Sequence, residues 1–465
     1  MKKMLTKNTT YLFIFIFSVI FSKVDISYNL NLFSINRLAD GGVIKVPFRI
    51  ANIDFKHYDG DFEVSSILSI EYKPKFSDFY LNDRNDTEFL FDVREIYAKW
   101  YLNNSDVTIG KQIHSWGIVD QNSPIDNASP YDYYYIFLEG LDQKMGSFSL
   151  SYNYYFKNNV FGLAFSPIHH TNRLPLGKDD FPIKLPVIPN PILVNKVENE
   201  IEFGAYLKQN FNKGDLTISY YSGNDRIYNL SGVNVFTNEQ QTVFANIDTV
   251  FSFRTTDVLG LGGTYIDENF AFRFDFGLFH TYDKSSNVER LRQDMLNGTA
   301  LDALWYQVGA SHAFEEDVYY QQTTVQLERF NNNNSIVLGY FEHRINKYTA
   351  NYLAAVDIPG VEADVNPRDY FYPGLGAPLA ILSPRALFFQ IQKNIENQTL
   401  TFKGLEDLND LGFLYEIGYK LNINDNLSFK ACINKIWGDS SKDTDYRFNQ
   451  MEDFSHFRIE MEYFF

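Results

Sequence analysis

Residues 270–279 read FAFRFDFGLF. Phe270, Phe272, Phe274, Phe276 and Leu278 share one parity; Ala271, Arg273, Asp275 and Gly277 share the other. Helical neighbours lie three or four residues apart, so no helix gathers these phenylalanines on one face, whereas a strand does so at every second position. The same period of two returns in GSFSLSYNYYF (146–156), EIEFGAYLKQN (200–210) and LGFLYEIGYKL (411–421). Soluble sandwiches alternate as well. What separates this chain from them is an apolar face rich in Phe and Tyr out to the strand ends, where membrane barrels carry aromatic girdles.

Composition agrees. The 465 residues include 43 Phe and 32 Tyr and carry a net charge of −17, with a mean hydropathy of −0.27. Beyond the N-terminus no apolar run approaches the roughly 20 residues that a membrane helix needs. The acidic balance argues against nucleic-acid binding, which calls for basic patches. Lys2, Lys3 and Lys7 precede the apolar stretch Tyr11–Phe21, the pattern of a secretory signal. Residues 1–22 are therefore read as a signal peptide and 23–465 as a single mature domain. The lone Cys432 has no internal disulfide partner and reads as a small packed residue.

Alternating segments recur from about residue 60 onward. Short polar turns join many of them: 157–159, 212–214, 267–269, 331–334 and 422–426. Longer connections fall at 114–143, 166–198, 283–302, 345–385 and 438–454 and are expected on the extracellular side. The reading is all-β: a transmembrane antiparallel up-and-down barrel of 16–18 strands, even in number, in the outer membrane and in contact with its lipid. Between residues 225 and 386 the short–long alternation falters. In FLFDVREIYAKWYL (89–102) the apolar parity switches, which predicts a bulge at Arg94 or Glu95.

The chain closes on FRIEMEYFF (457–465), with Phe457, Ile459, Met461, Tyr463 and Phe465 on one face. Closing a barrel requires the last strand to pair with the first and so remove both edges. An alternating strand with a terminal aromatic also resembles the signal read by the barrel-assembly machinery, an expected partner.

Residues 94–132, REIYAKWYLNNSDVTIGKQIHSWGIVDQNSPIDNASPYD, resemble a large family of proteobacterial outer-membrane porin-like barrels known only as a domain of unknown function. The matching positions are Arg94, Glu95, Tyr97, Gly110, Gln112, Trp116, Gly117, Asp120, Pro124 and Asp126, with Lys111 and Ser123 departing from the family pattern. The likeness continues through Arg173-Leu174-Pro175, Glu202, Gly204, residues 220–226 and the C-terminal hairpins. It implies fold and location and supplies no substrate. Read by itself, the motif places Thr108, Gln112 and His114 inward, Val107, Ile109 and Ile113 toward lipid, and Trp116 in a girdle. It serves either a folded-in loop or a ligand site.

Inward parity predicts Lys208, Asp248, Arg254, Arg273, Asp275, Glu328, Glu416, Lys420, Lys430, Arg458 and Glu460 as pore-lining. Their mixed signs favour cross-strand pairs over a single-sign selectivity ring. Six prolines in 166–198 would stiffen that loop if it entered the barrel. Asp120, Asp126 and Asp132, or Asp439, Asp443 and Asp445, are read as solvated acids in preference to a Ca²⁺ site, since neither set has EF-hand spacing. No cofactor or metal is expected. His114 and Ser115 point to opposite faces, no other Ser–His pair is evident, and an enzyme is not expected. The function expected is an outer-membrane channel for an unidentified small molecule; the alternative is an envelope-assembly barrel with a filled lumen.

Overall fold

The computed structural model describes residues 24–73, 89–120, 122–136, 143–175, 194–236, 246–283, 288–289, 308–354, 364–442 and 446–465. Residues 1–22, read as a signal peptide, lie outside this set.

Strands in chain order are β1 (Val24–Arg37), β2 (Phe48–Asp59), β3 (Phe62–Tyr72), β4 (Phe89–Leu102), β5 (Ser105–Gln112), β6 (Ser147–Phe156), β7 (Asn159–Ser166), β8 (Glu202–Phe211), β9 (Gly214–Asn224), β10 (Asn229–Phe236), β11 (Asn246–Ser252), β12 (Thr255–Asp267), β13 (Phe270–Tyr282), β14 (Val308–Ala313), β15 (Asp317–Phe330), β16 (Asn334–Thr349), β17 (Arg385–Ile395), β18 (Gln398–Asp407), β19 (Phe413–Asn422), β20 (Leu427–Trp437) and β21 (His456–Phe464). All but β10, β11 and β14 form one 18-stranded antiparallel sheet in nearest-neighbour order. It closes where β21 pairs with β1, from Asn29 opposite Phe464 to Arg37 opposite His456. Phe465 extends the seam: its N–H donates to the Tyr28 carbonyl at 2.9 Å, and the two rings stack at 4.2 Å.

Every expected short turn lies at the end of the barrel that holds Val24 and Phe464, the periplasmic end. The strand ends that flank the long connections lie at the other. The remaining three strands explain the faltering alternation. β10 and β11 arise from the connection after β9, β14 from the connection before β15, and together they make a separate three-stranded sheet. Asp248, expected to line the pore, sits on β11 of this small sheet, opposite Asn234. Parity recognises a strand but not the sheet it joins, so that assignment is corrected.

The predicted bulge is at Arg94: Ile67 pairs with Glu95 and Leu68 with Val93, leaving Arg94 as the extra residue. Before it, Phe91 (77% exposed) and Val93 face outward; after it, Ile96 and Trp100 do. Glu95, Tyr97 and Lys99 are thereby turned into the lumen.

The outer surface is a belt of large apolar side chains, among them Leu32 at 70% exposure, Leu259 at 57% and Ile417 at 61%. Their inward neighbours are polar or small, as with the buried Ser147, Ser149 and Ser151 on β6. Water does not tolerate such a belt, and the hydrocarbon of a bilayer does. The protein is a transmembrane barrel of the outer membrane.

Candidate functional site

After Gln112 the chain turns into the barrel. Gly110, at φ +136°, begins the turn; a Cβ there would lie 2.3 Å from the Ile96 carbonyl oxygen. Glu95 accepts the Ile113 N–H at 2.7 Å. Gln112 spans β5 and β6, donating to the Ser149 carbonyl at 3.1 Å and accepting from Ser151 Oγ at 3.0 Å. Ile113, expected toward lipid, instead borders an interior cavity.

Trp116 is not a girdle residue. It is buried inside, against Tyr206 at 5.4 Å between ring centroids. It lies over Gly204, where a Cβ would come within 2.2 Å of its ring. The wall facing the loop is carved in the same way: Cβ atoms at Gly260 and Gly262 would meet Ile125 at 2.8 and 3.0 Å. An aromatic at a strand end signals a girdle only if the chain continues along the wall, and here it leaves it.

Polar groups hold the loop in place. Asp275 Oδ2 accepts the N–H of Ile118 at 2.9 Å and of Val119 at 3.0 Å. Gln326 Nε2 donates to Asp120 at 3.0 Å, and Thr324 Oγ1 donates to the Asn122 carbonyl at 2.7 Å. Within the loop, Asp126 accepts the Trp116 N–H at 3.0 Å and pairs with Lys144. Gly117 passes so close to Ser123 that a Cβ would lie 2.4 Å away. Arg94 donates to the Lys144 carbonyl at 3.3 Å. The motif residues shape a folded-in loop.

A second segment, 371–383, docks on the first. Gly376 donates its N–H to Asn127 Oδ1 at 2.8 Å, and Leu379 donates to Asn122 Oδ1 at 3.0 Å. Arginines cross-link the segments at the outer rim. Arg226 pairs with Glu202 at 2.9 Å and donates to the Asn127 carbonyl at 3.0 Å. Arg254 pairs with Asp225 at 2.8 Å and Glu316 at 3.3 Å. Arg173, from the proline-containing connection, pairs with Glu71 at 2.9 Å and Asp132 at 3.1 Å. The expected constriction by 166–198 falls mostly on 176–193, outside the described residues, with Pro182, Pro186, Pro189 and Pro191.

Most of the other predicted lining residues sort into pairs. Lys208 meets Asp215 at 3.1 Å, Arg273 meets Glu328 at 2.8 Å, and Lys430 meets Glu462 at 3.2 Å. Arg458 meets Glu460 at 2.9 Å and Glu416 at 3.9 Å. Lys420 stands opposite Lys430 and Thr399 on β20 and β18. Arg254 is buried at the rim, not displayed to the lumen. Asp120, Asp126 and Asp132 go to separate partners, which disperses them as a cation set. Asp443 and Asp445 lie outside the described residues.

A Ser–His pair does exist, between residues 35 positions apart: His114 Nε2 and Ser149 Oγ are 2.9 Å apart. Both are buried, beside a cavity of about 10 Å³ that has room for little more than a water. Burial, followed by the Lys144 charge, pushes the imidazole down to about 4. The pair pins the loop to β6.

Beside the loop the lumen holds a cavity of about 670 Å³, bounded by the loop on one side and β15–β20 on the other. One cross-strand row along it runs Glu328, Val337, Gln390, Lys403, Glu416, Asn434, each opposite the next. Glu328 is near the periplasmic end of its strand and Asn434 near the outer end. With strands tilted about 40° and spaced about 4.8 Å, such a row climbs roughly 15 Å along the barrel axis. Beyond Trp116, a smaller cavity of about 240 Å³ lies against β4–β8.

No family model matches the chain, and no curated protein sequence matches it. Similar solved structures include OccAB2 of Acinetobacter baumannii, at 11% identity and TM-score 0.48 over 95% of this chain and 98% of that one. OccK2 of Pseudomonas aeruginosa, solved in complex with glucuronate, gives 12% and 0.49 over 95% and 98%. A BenF-like porin from Pseudomonas fluorescens Pf-5 gives 9% and 0.49 over 96% and 98%.

Proposed function

We propose that this chain is a narrow outer-membrane channel for small solutes, passing them beside the inward-folded loop. The observation that carries the reading is the 670 Å³ cavity, whose lining row ascends from Glu328 to Asn434 between loop and wall. A channel needs polar groups along its path and a cross-section set by rigid parts. The paired charges supply the first, and the hydrogen bonds to Asp275, Thr324 and Gln326 supply the second. Outer-membrane lipid and the barrel-assembly machinery are its proposed partners.

The second reading is an envelope-assembly barrel with a sealed lumen. It draws on the apolar packing of loops over the outer end, where Ile44, Tyr133, Ile381, Phe448 and Met451 share one buried cluster. Refolded full-length protein in planar bilayers decides between them. Discrete conductance steps are expected of the channel; a correctly closed barrel that stays silent overturns it.

A further inference from the structure

The wall of the larger cavity changes chemistry in one step. Across β17, β18 and β19, Phe388 stands opposite Leu405 and Leu405 opposite Leu414. Two residues along each strand, on the same inner face, Gln390 stands opposite Lys403, and Lys403 opposite Glu416, which faces Asn434 on β20. An apolar row therefore lies directly outward of a polar one, and members of both border the same cavity. From the loop side, Pro378 and Leu379 add apolar surface at the same place. The Phe388 ring lies against Gly339, where a Cβ would come within 2.0 Å of it.

Leu405 and Leu414 belong to the buried cluster under the outer loops, and with Phe388 they also leave apolar edges on the cavity wall. A binding site gains from them, since ligand sites combine apolar walls with a few placed polar groups, in cavities of roughly 300–1,000 Å³. We propose that this step binds small amphipathic solutes. The apolar body rests against Phe388, Leu405 and Leu414. The hydrogen-bonding or charged head reaches Gln390, Lys403, Glu416 and Asn434. Lys403 and Glu416 carry opposite signs side by side, so a head bearing both charges matches the row. Passage of such solutes rests on the channel reading; their binding does not.

The test compares L-phenylalanine with L-serine, which share a head and differ in the body. Binding to the full-length barrel in detergent is measured by calorimetry, and interruption of current in planar bilayers is recorded in parallel. Phenylalanine is expected to bind at least roughly tenfold tighter, the discrimination an apolar pocket gives. Leu405→Thr should remove most of that difference. Lys403→Met should weaken both amino acids and leave their ratio. Closed-barrel migration on unheated gels checks each variant, and Phe388→Thr replaces Leu405→Thr if the latter does not assemble. Equal binding of the two amino acids, or an unchanged ratio in the apolar-row variant, overturns the site. Phenylalanine binding in a barrel without conductance removes the channel and keeps the site; conductance without a phenylalanine preference does the reverse.

Discussion

Asp275 accepts the backbone N–H of Val119 at 3.0 Å through the oxygen that also accepts the Ile118 N–H at 2.9 Å. A side chain on the inner wall thus holds a loop that left the wall at Gln112. The acceptor is buried beside the glycine-lined groove, so each bond contributes about 0.5–1.5 kcal/mol, and leaving a buried N–H without it costs more, about 1–3 kcal/mol.

Asp275→Ala should release residues 118–119 from the wall while the barrel stays closed. Larger and noisier conductance steps than wild type are expected in planar bilayers. Steps of unchanged size would mean that the loop is held elsewhere.

Gly204→Val should expel Trp116 from its seat, since even a Cβ would come within 2.2 Å of the ring. The overpacking costs about 1–3 kcal/mol. A red shift in tryptophan emission, absent when Trp116 is already replaced by Phe, reads it out.

The contribution of His114 to loop docking should weaken in acid. His114 is held neutral, its folded value of about 4 lying below the ordinary 6.5. Above 6.5 both folded and released forms are neutral and the docking is intact. Between 6.5 and 4 only the released imidazole takes up a proton, so docking loses about 1.4 kcal/mol per pH unit, and the loss levels off below 4. Current noise recorded from pH 7 to pH 4 should rise in wild type and stay flatter in His114→Gln.

Arg273→Gln leaves Glu328 without its 2.8 Å partner beside the cavity. The uncompensated carboxylate should shift ion selectivity toward cations. Reversal potentials in a salt gradient measure the shift, and Glu328→Gln should move them the opposite way.

At the seam, Phe465→Ser removes the ring stacked on Tyr28 at 4.2 Å. An aromatic pair contributes about 0.5–1.5 kcal/mol beyond its burial. A smaller closed-barrel fraction on unheated gels is expected, restored in part by Phe465→Tyr.

What the sequence determined by itself is local in origin. Alternation in 270–279, the polar turns, the parity switch at Arg94 and the aromatic face of 457–465 follow from the two-residue period and from turn chemistry. They sufficed for an all-β membrane barrel, and the inward parity of Arg273, Asp275 and Glu416 was legible with them. Tertiary structure decided which way the connections go. Nothing in the sequence marks Gln322, Thr324 and Gln326 on β15, which gain their roles when the two inward segments dock on them. The space left by Gly204, Gly260 and Gly262 takes its meaning only from Trp116 and Ile125, which occupy it. Asp248 changes sheet, and His114 meets Ser149 from 35 residues away. The physical reason is common to all: a strand's faces are set by its own backbone, whereas a loop's place is set by partners distant in the chain.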